Sequence, residues 1–100
     1  MRDPEVLEAV KQTLAALVEK SPGRAIEVRI PPYAAVQCGA GPTHTRGTPA
    51  NVIEMDAETW LALVQGEKKW ADALGEGLIN ASGARADLSA LLPLQNRISS

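Results

Sequence analysis

The chain carries few residues with reactive side chains. Cys38 and His44 are its only cysteine and its only histidine, six positions apart across Gly39-Ala40-Gly41. His44 is the one base that could take the thiol proton. A cysteine closing an apolar run, however, ordinarily behaves as a small buried hydrophobe. One cysteine excludes an intramolecular disulfide and a multi-cysteine zinc site, and one histidine excludes the usual two- and three-histidine metal sets. Glu67 and Asp72 have no acid–base signature and read as solvated helix faces. Asn80-Ala81-Ser82 fits a glycosylation pattern, which carries no meaning in a cytoplasmic strand. The sharpest polar feature is His44-Thr45-Arg46-Gly47. Arg46 can fork a carboxylate or phosphate, with His44 as a second donor near neutral pH and backbone N–H groups around Gly47 completing an anion cradle. Two structural roles compete with that one: Arg46 paired with Glu54 or another surface acid, and His44 tying its loop to the main chain.

The other candidate chemistry is apolar. Val36, Ile53, Trp60, Leu63, Val64, Trp70, Leu74, Ile79, Leu91 and Leu92 are the large side chains expected to point inward. They either close-pack on one another, the rule for interiors, or line a hollow that an apolar guest fills. Burying an acyl chain in such a hollow contributes about 0.8 kcal/mol per CH₂, enough to bind without a charged partner.

The elements that must position these residues follow from periodicity. Leu7, Val10, Leu14, Leu17 and Val18 form an apolar stripe that predicts a helix over 4–20, capped by Asp3 with Pro4 at its first position and ended by Ser21-Pro22-Gly23. Alternation over 25–30 predicts a strand with Ile26, Val28 and Ile30 on one side, closed by Pro31-Pro32. Residues 33–38 read as a second strand covered on both faces or lining something, and 39–50 as a loop long enough to suggest function or mobility. A third strand over 51–55 runs into a helix capped by Asp56 and stopped by Gly66, with Met55 and Trp60 as its hydrophobic staple. A short helix follows, with Trp70, Ala73 and Leu74 on one face and Lys68, Lys69 and Asp72 on the other. Residues 78–82 form a fourth strand. Asp87 starts a last helical turn through Leu92, while Arg85 and Asp87 fix the turn before it. The order α-β-β-β-α-α-β-α predicts an α+β fold with a largely antiparallel sheet and helices on one face.

Composition bounds the rest. In 100 residues, 45% are hydrophobic and 22% charged, which suits one domain over 1–100 with a single core. Residues 1–23 carry the N-terminal helix, and 95–100 read as a frayed tail. The net charge of −2 and pI near 5.3 argue against a nucleic-acid groove. No apolar run reaches the ~18 residues of a membrane span. Met1-Arg2-Asp3-Pro4 reads as neither a signal nor a transit peptide, so a cytoplasmic location is expected.

Two passages resemble sterol-carrier-protein-type domains: the strand–helix segment Asn51-Val-Ile-Glu-Met-Asp-Ala-Glu-Thr-Trp-Leu-Ala-Leu-Val-Gln-Gly66, and Trp70-Ala-Asp-Ala-Leu-Gly-Glu-Gly-Leu-Ile-Asn-Ala-Ser-Gly83. Arg29 to Cys38, His44 to Asn51 and Ala81 to Leu94 extend the likeness to bacterial, actinobacterial members. Those members are related to the accessory domain of mycothiol-dependent maleylpyruvate-isomerase-like proteins. The resemblance implies a curved sheet under helices enclosing an apolar cavity. Such domains are non-enzymatic carriers of acyl-chain or sterol-like lipids, without a cofactor. This chain lacks phenylalanine and has only two tryptophans and one tyrosine, which weighs against sterol itself. Arg97-Ile98-Ser99-Ser100 is not the peroxisomal address of eukaryotic relatives.

The expected ligand-binding set is therefore Val36, Ile53, Trp60, Leu63, Val64, Trp70, Leu74 and Ile79, with His44 and Arg46 steering the head group. The partner is a small apolar ligand, bound by a monomer or a homodimer. The alternative is an accessory or regulatory domain of mycothiol-linked metabolism. It would have a closed core and a polar groove holding His44, Arg46 and Cys38, taking an anionic metabolite or a partner protein.

Overall fold

The computed structural model describes residues 3–41 and 51–94. Helix α1 (Pro4–Lys20) begins where expected: the Asp3 carboxylate accepts the N–H groups of Glu5 at 2.9 Å and Val6 at 3.4 Å. Its stripe buries Val10, Leu14 and Leu17. Four strands follow the alternation closely: β1 (Ile26–Ile30), β2 (Ala34–Cys38), β3 (Val52–Met55) and β4 (Ile79–Ser82).

The sheet order is β2-β1-β3-β4. β1 and β2 form an antiparallel hairpin with Val28 opposite Val36, and β3 and β4 are antiparallel with Met55 opposite Ile79. The middle pair is parallel, Val28 lying opposite Ile53. The sheet is thus largely antiparallel around one parallel seam. That seam explains the long connection between β2 and β3. Cys38 and Val52 both lie beside the start of β1 but on opposite flanks, so the chain must pass from one flank to the other.

One sheet face is apolar throughout its centre. Ile26, Val28, Ile30, Ile53, Met55 and Ile79 are buried there, while Glu27, Arg29 and Glu54 alternate onto the other face. Helix α1 packs against β2, and α2 (Ala57–Gln65) packs against α1. The Asp56 carboxylate caps α2 through the Thr59 N–H at 2.8 Å. Gly66 closes it with a left-handed φ of 81°, a conformation that favours glycine. A shorter helix, α3 (Trp70–Gly75), leads through Gly77 to β4.

Two expectations are corrected. β2 is an edge strand with Ala35 and Gln37 exposed, so it is not covered on both faces. Its uniform apolarity reflects small alanines, which leave little surface to hide. The segment from Asp87 to Leu92 is a turn, not a helix. It holds one backbone bond of that kind, from the Leu91 N–H to the Leu88 carbonyl at 2.9 Å, and Pro93 bars continuation. Residues 83–94 instead form a strap across the molecule. Leu88 is fully buried beneath it, the Leu94 N–H bonds the Val64 carbonyl at 3.1 Å, and Lys20 Nζ donates to the Leu91 carbonyl at 2.8 Å.

A corner beside the start of β1 is fastened by polar contacts. Buried Asn51 donates through Nδ2 to the Ala25 carbonyl and accepts the Arg85 N–H through Oδ1, both at 2.8 Å, while its own carbonyl accepts the Glu27 N–H at 2.9 Å. One residue thus ties β1, the entry to β3 and the strap. Gly23, at φ 142°, presses so closely on the Gly39 carbonyl that any Cβ would collide with it. The Arg85 guanidinium reaches the Ala40 carbonyl at 3.4 Å, linking the strap to the chain just beyond β2.

Candidate functional site

The inward set divides into two environments. Ile53, Trp60 and Val64 have no exposed surface and belong to one cluster with Val10, Leu14 and Leu17. The Trp60 indole N–H donates to Thr13 Oγ1 at 2.8 Å, so even its polar edge is satisfied inside the α1–α2 layer. Ile79 is buried against Met55 across the β3–β4 pair, and Val36 is half-buried on the edge strand. These side chains already touch protein neighbours.

Leu63 and Trp70 stand differently. Both line an open groove of about 440 Å³ between the end of α2, the start of α3 and the strap, with Gly66, Ala71, Leu92 and Pro93 completing its apolar wall. Lys68, Lys69 and Ser89 stand at its polar boundary. Lys68 Nζ is 3.0 Å from the Glu76 carboxylate, whereas Lys69 has no ion pair among the described residues. Trp70 is only 7% exposed, yet its indole N–H has no hydrogen-bond acceptor among the described residues. The Ser89 N–H donates to the Asp87 carboxylate at 2.8 Å, and hydrogen bonding from Ser89 holds that carboxyl below the usual carboxylate range.

A second open groove, about 550 Å³, runs between α1 and α2 along Val6, Tyr33, Ala57 and Leu61, with Glu58 and Glu67 lining it. The two grooves on either side of α2 therefore have opposite charge. Volumes of this size fall within the range of small-molecule sites.

The structure turns Leu74 outward, with 45% of its surface exposed. Helix α3 has only six residues and buries Trp70 and Ala73, so the following position falls beyond its covered face. Leu78 is exposed as well. Leu91 and Leu92 are half-buried in the strap. His44 and Arg46 lie outside the described residues. Cys38 is fully buried, and that burial pushes its thiol pKa up, which keeps the thiolate scarce at neutral pH. The Arg29 guanidinium is held in its charged form by a 2.7 Å bond to Glu27, with Glu54 opposite it in the sheet. Among the described residues, no group of three or more His, Cys, Asp or Glu side chains is placed to hold a metal ion.

Periodicity sets Lys68 and Lys69 on the helix face opposite Trp70, whereas the structure places both beside the groove that Trp70 lines. The available signal was the contiguous Lys68-Lys69-Trp70, two cations running directly into a large aromatic. Asn51 was likewise legible only as a strand residue, because its three partners come from distant parts of the chain.

No helix among the described residues is long and apolar enough to cross a membrane. No curated protein matches the chain. A family model described as a bacterial SCP ortholog, of the sterol-carrier-protein type, matches residues 2–94. With a match of that extent and an α+β fold of this arrangement, the chain belongs to the bacterial SCP ortholog family.

Proposed function

We propose that the protein is a non-enzymatic carrier for a lipid-like small molecule, acting in the cytoplasm as one domain over residues 1–100. The reading rests on membership of a sterol-carrier-type family and on one structural observation. Beside a filled core, the α2–α3–strap groove presents Leu63, Trp70, Leu92 and Pro93 as an apolar wall of ligand-site size. Apolar wall of that kind gains free energy when an acyl chain displaces water from it. The buried, raised-pKa thiol of Cys38 supports a carrier over a cysteine-based catalyst. The groove is open, so the guest lies along a wall rather than inside a sealed hollow, which favours a flexible acyl chain over a rigid sterol.

The test is titration of the purified protein with a fluorescent fatty acid, alongside an Ala71→Trp variant. Ala71 is exposed and lines the groove, so a large side chain there obstructs the groove without invading the core. Saturable micromolar binding that the variant loses, with thermal stability changed by no more than about 0.5 kcal/mol, is the expected result. Equal binding by both proteins would move the site elsewhere, and no binding by either would end the carrier reading.

A further inference from the structure

We propose that this groove selects amphiphiles by head-group charge: it takes a single apolar chain ending in an anionic oxygen group, carboxylate or phosphate, and discriminates against a neutral head on the same chain. The inference rests on the reading of the α2–α3–strap groove as the lipid site, and adds a head-group site to it.

Two independent features converge there. Lys68 and Lys69 place two cations beside an otherwise apolar groove in a chain whose net charge is −2. Lys68 is shared with Glu76 at 3.0 Å, but Lys69 has no carboxylate partner among the described residues and is exposed. The second is the Trp70 indole N–H, which has no acceptor among the described residues although 93% of the residue's surface is buried. Buried indole donors ordinarily find a partner, because leaving one unpaired costs free energy. Trp70 belongs to the groove wall, so an oxygen bound beside it can accept that bond while Lys69 supplies the opposite charge. The Ser89 N–H does not compete for this role, since it is committed to Asp87. An anionic head thus meets donors that otherwise stay unused. A hydroxyl head can take the indole bond but gains nothing from the charge. The opposite groove, lined by Glu58 and Glu67, repels the same anion, so the charge pattern also chooses which side of α2 the amphiphile occupies.

The measurement is calorimetric titration of the full chain with three ligands of equal length: laurate, dodecyl phosphate and dodecanol. Wild type is expected to bind at least one anion about tenfold or more tightly than the alcohol, with the preference shrinking as salt is raised. The Lys68→Gln/Lys69→Gln double variant is expected to bring anion and alcohol to similar affinity, chiefly by weakening the anion. Trp70→Phe keeps the apolar wall and removes only the donor. It is expected to weaken anion binding several-fold, and circular dichroism checks that it remains folded. A preference for one anion alone supports the proposal and identifies the head group. Equal affinity for anions and alcohol in wild type overturns the head-group site while leaving the carrier reading intact. Binding of none of the three overturns both.

Discussion

The two tryptophans sit ten positions apart and occupy opposite kinds of surroundings. Trp60 is fully buried in the α1–α2 layer with its N–H satisfied by Thr13. Trp70 is nearly as buried, yet one side of it faces a groove and its N–H has no acceptor among the described residues. The same residue type therefore serves closure in one place and lines an open groove in the other. Burial alone does not separate the two; the state of the indole donor and the presence of a groove do.

Alanine substitution at the two tryptophans breaks this contrast most directly. Trp60→Ala removes a side chain with no exposed surface and leaves the Thr13 hydroxyl without its indole donor, so a loss of about 3–5 kcal/mol is expected. Trp70→Ala removes fewer packed contacts, because part of its surroundings is open groove, and is expected to cost about 1–2 kcal/mol less. Urea denaturation of both variants measures the difference. Equal losses would mean that the groove wall is as much a part of the core as the α1–α2 layer.

Much of this architecture was readable from periodicity and punctuation. The stripe of Val10, Leu14 and Leu17, the alternation of Ile26, Val28 and Ile30, and the caps at Asp3, Asp56 and Gly66 are local signals, and local physics settles them. What the sequence left open depends on distant partners. The order β2-β1-β3-β4 cannot be read from alternation, which marks a strand's faces but not its neighbours. For the site, Leu63 and Trp70 were singled out with Ile53, Trp60 and Val64, and only tertiary structure separates groove wall from closed core. Leu74 was misplaced because its spacing from Trp70 suits a longer helix than six residues. The strap from 83 to 94 resembled a helical turn because Asp87 is a good capping residue, and here it uses that capacity to bind Ser89 within a turn.

The next contrast lies between the polar corner at Asn51 and the apolar groove. Asn51→Ala leaves the Ala25 carbonyl and the Arg85 N–H without their partner in a site only 5% exposed. A loss of about 1–3 kcal/mol is expected. Because Asn51 holds the strap at Arg85, far in sequence from the groove residues Leu92 and Pro93, the substitution also asks whether the strap moves as one piece. If it does, hydrogen exchange should speed at the Leu94 N–H, which bonds Val64, as well as at the Arg85 N–H. Faster exchange at Arg85 alone would show that the strap's two ends are fastened separately.

The smallest effect concerns the middle of that strap. The Ser89 N–H donates to Asp87 Oδ1 at 2.8 Å, and this bond together with the Ser89 hydroxyl lowers the Asp87 pKa. A carboxyl with a folded pKa below its unfolded value stabilises the native state at pH above the unfolded value, near 3.9. That contribution fades as pH falls through the folded value, because the unfolded chain then binds more protons. Asp87 is exposed, so solvent screening holds the contribution under about 1 kcal/mol. Asp87→Asn keeps an oxygen for the Ser89 N–H but removes the titration. The variant should therefore lose less stability than wild type between about pH 5 and pH 3, as measured by thermal unfolding across that interval. Identical acid limbs would place the pH dependence in other carboxylates, and the turn would then hold Ser89 without coupling to protonation.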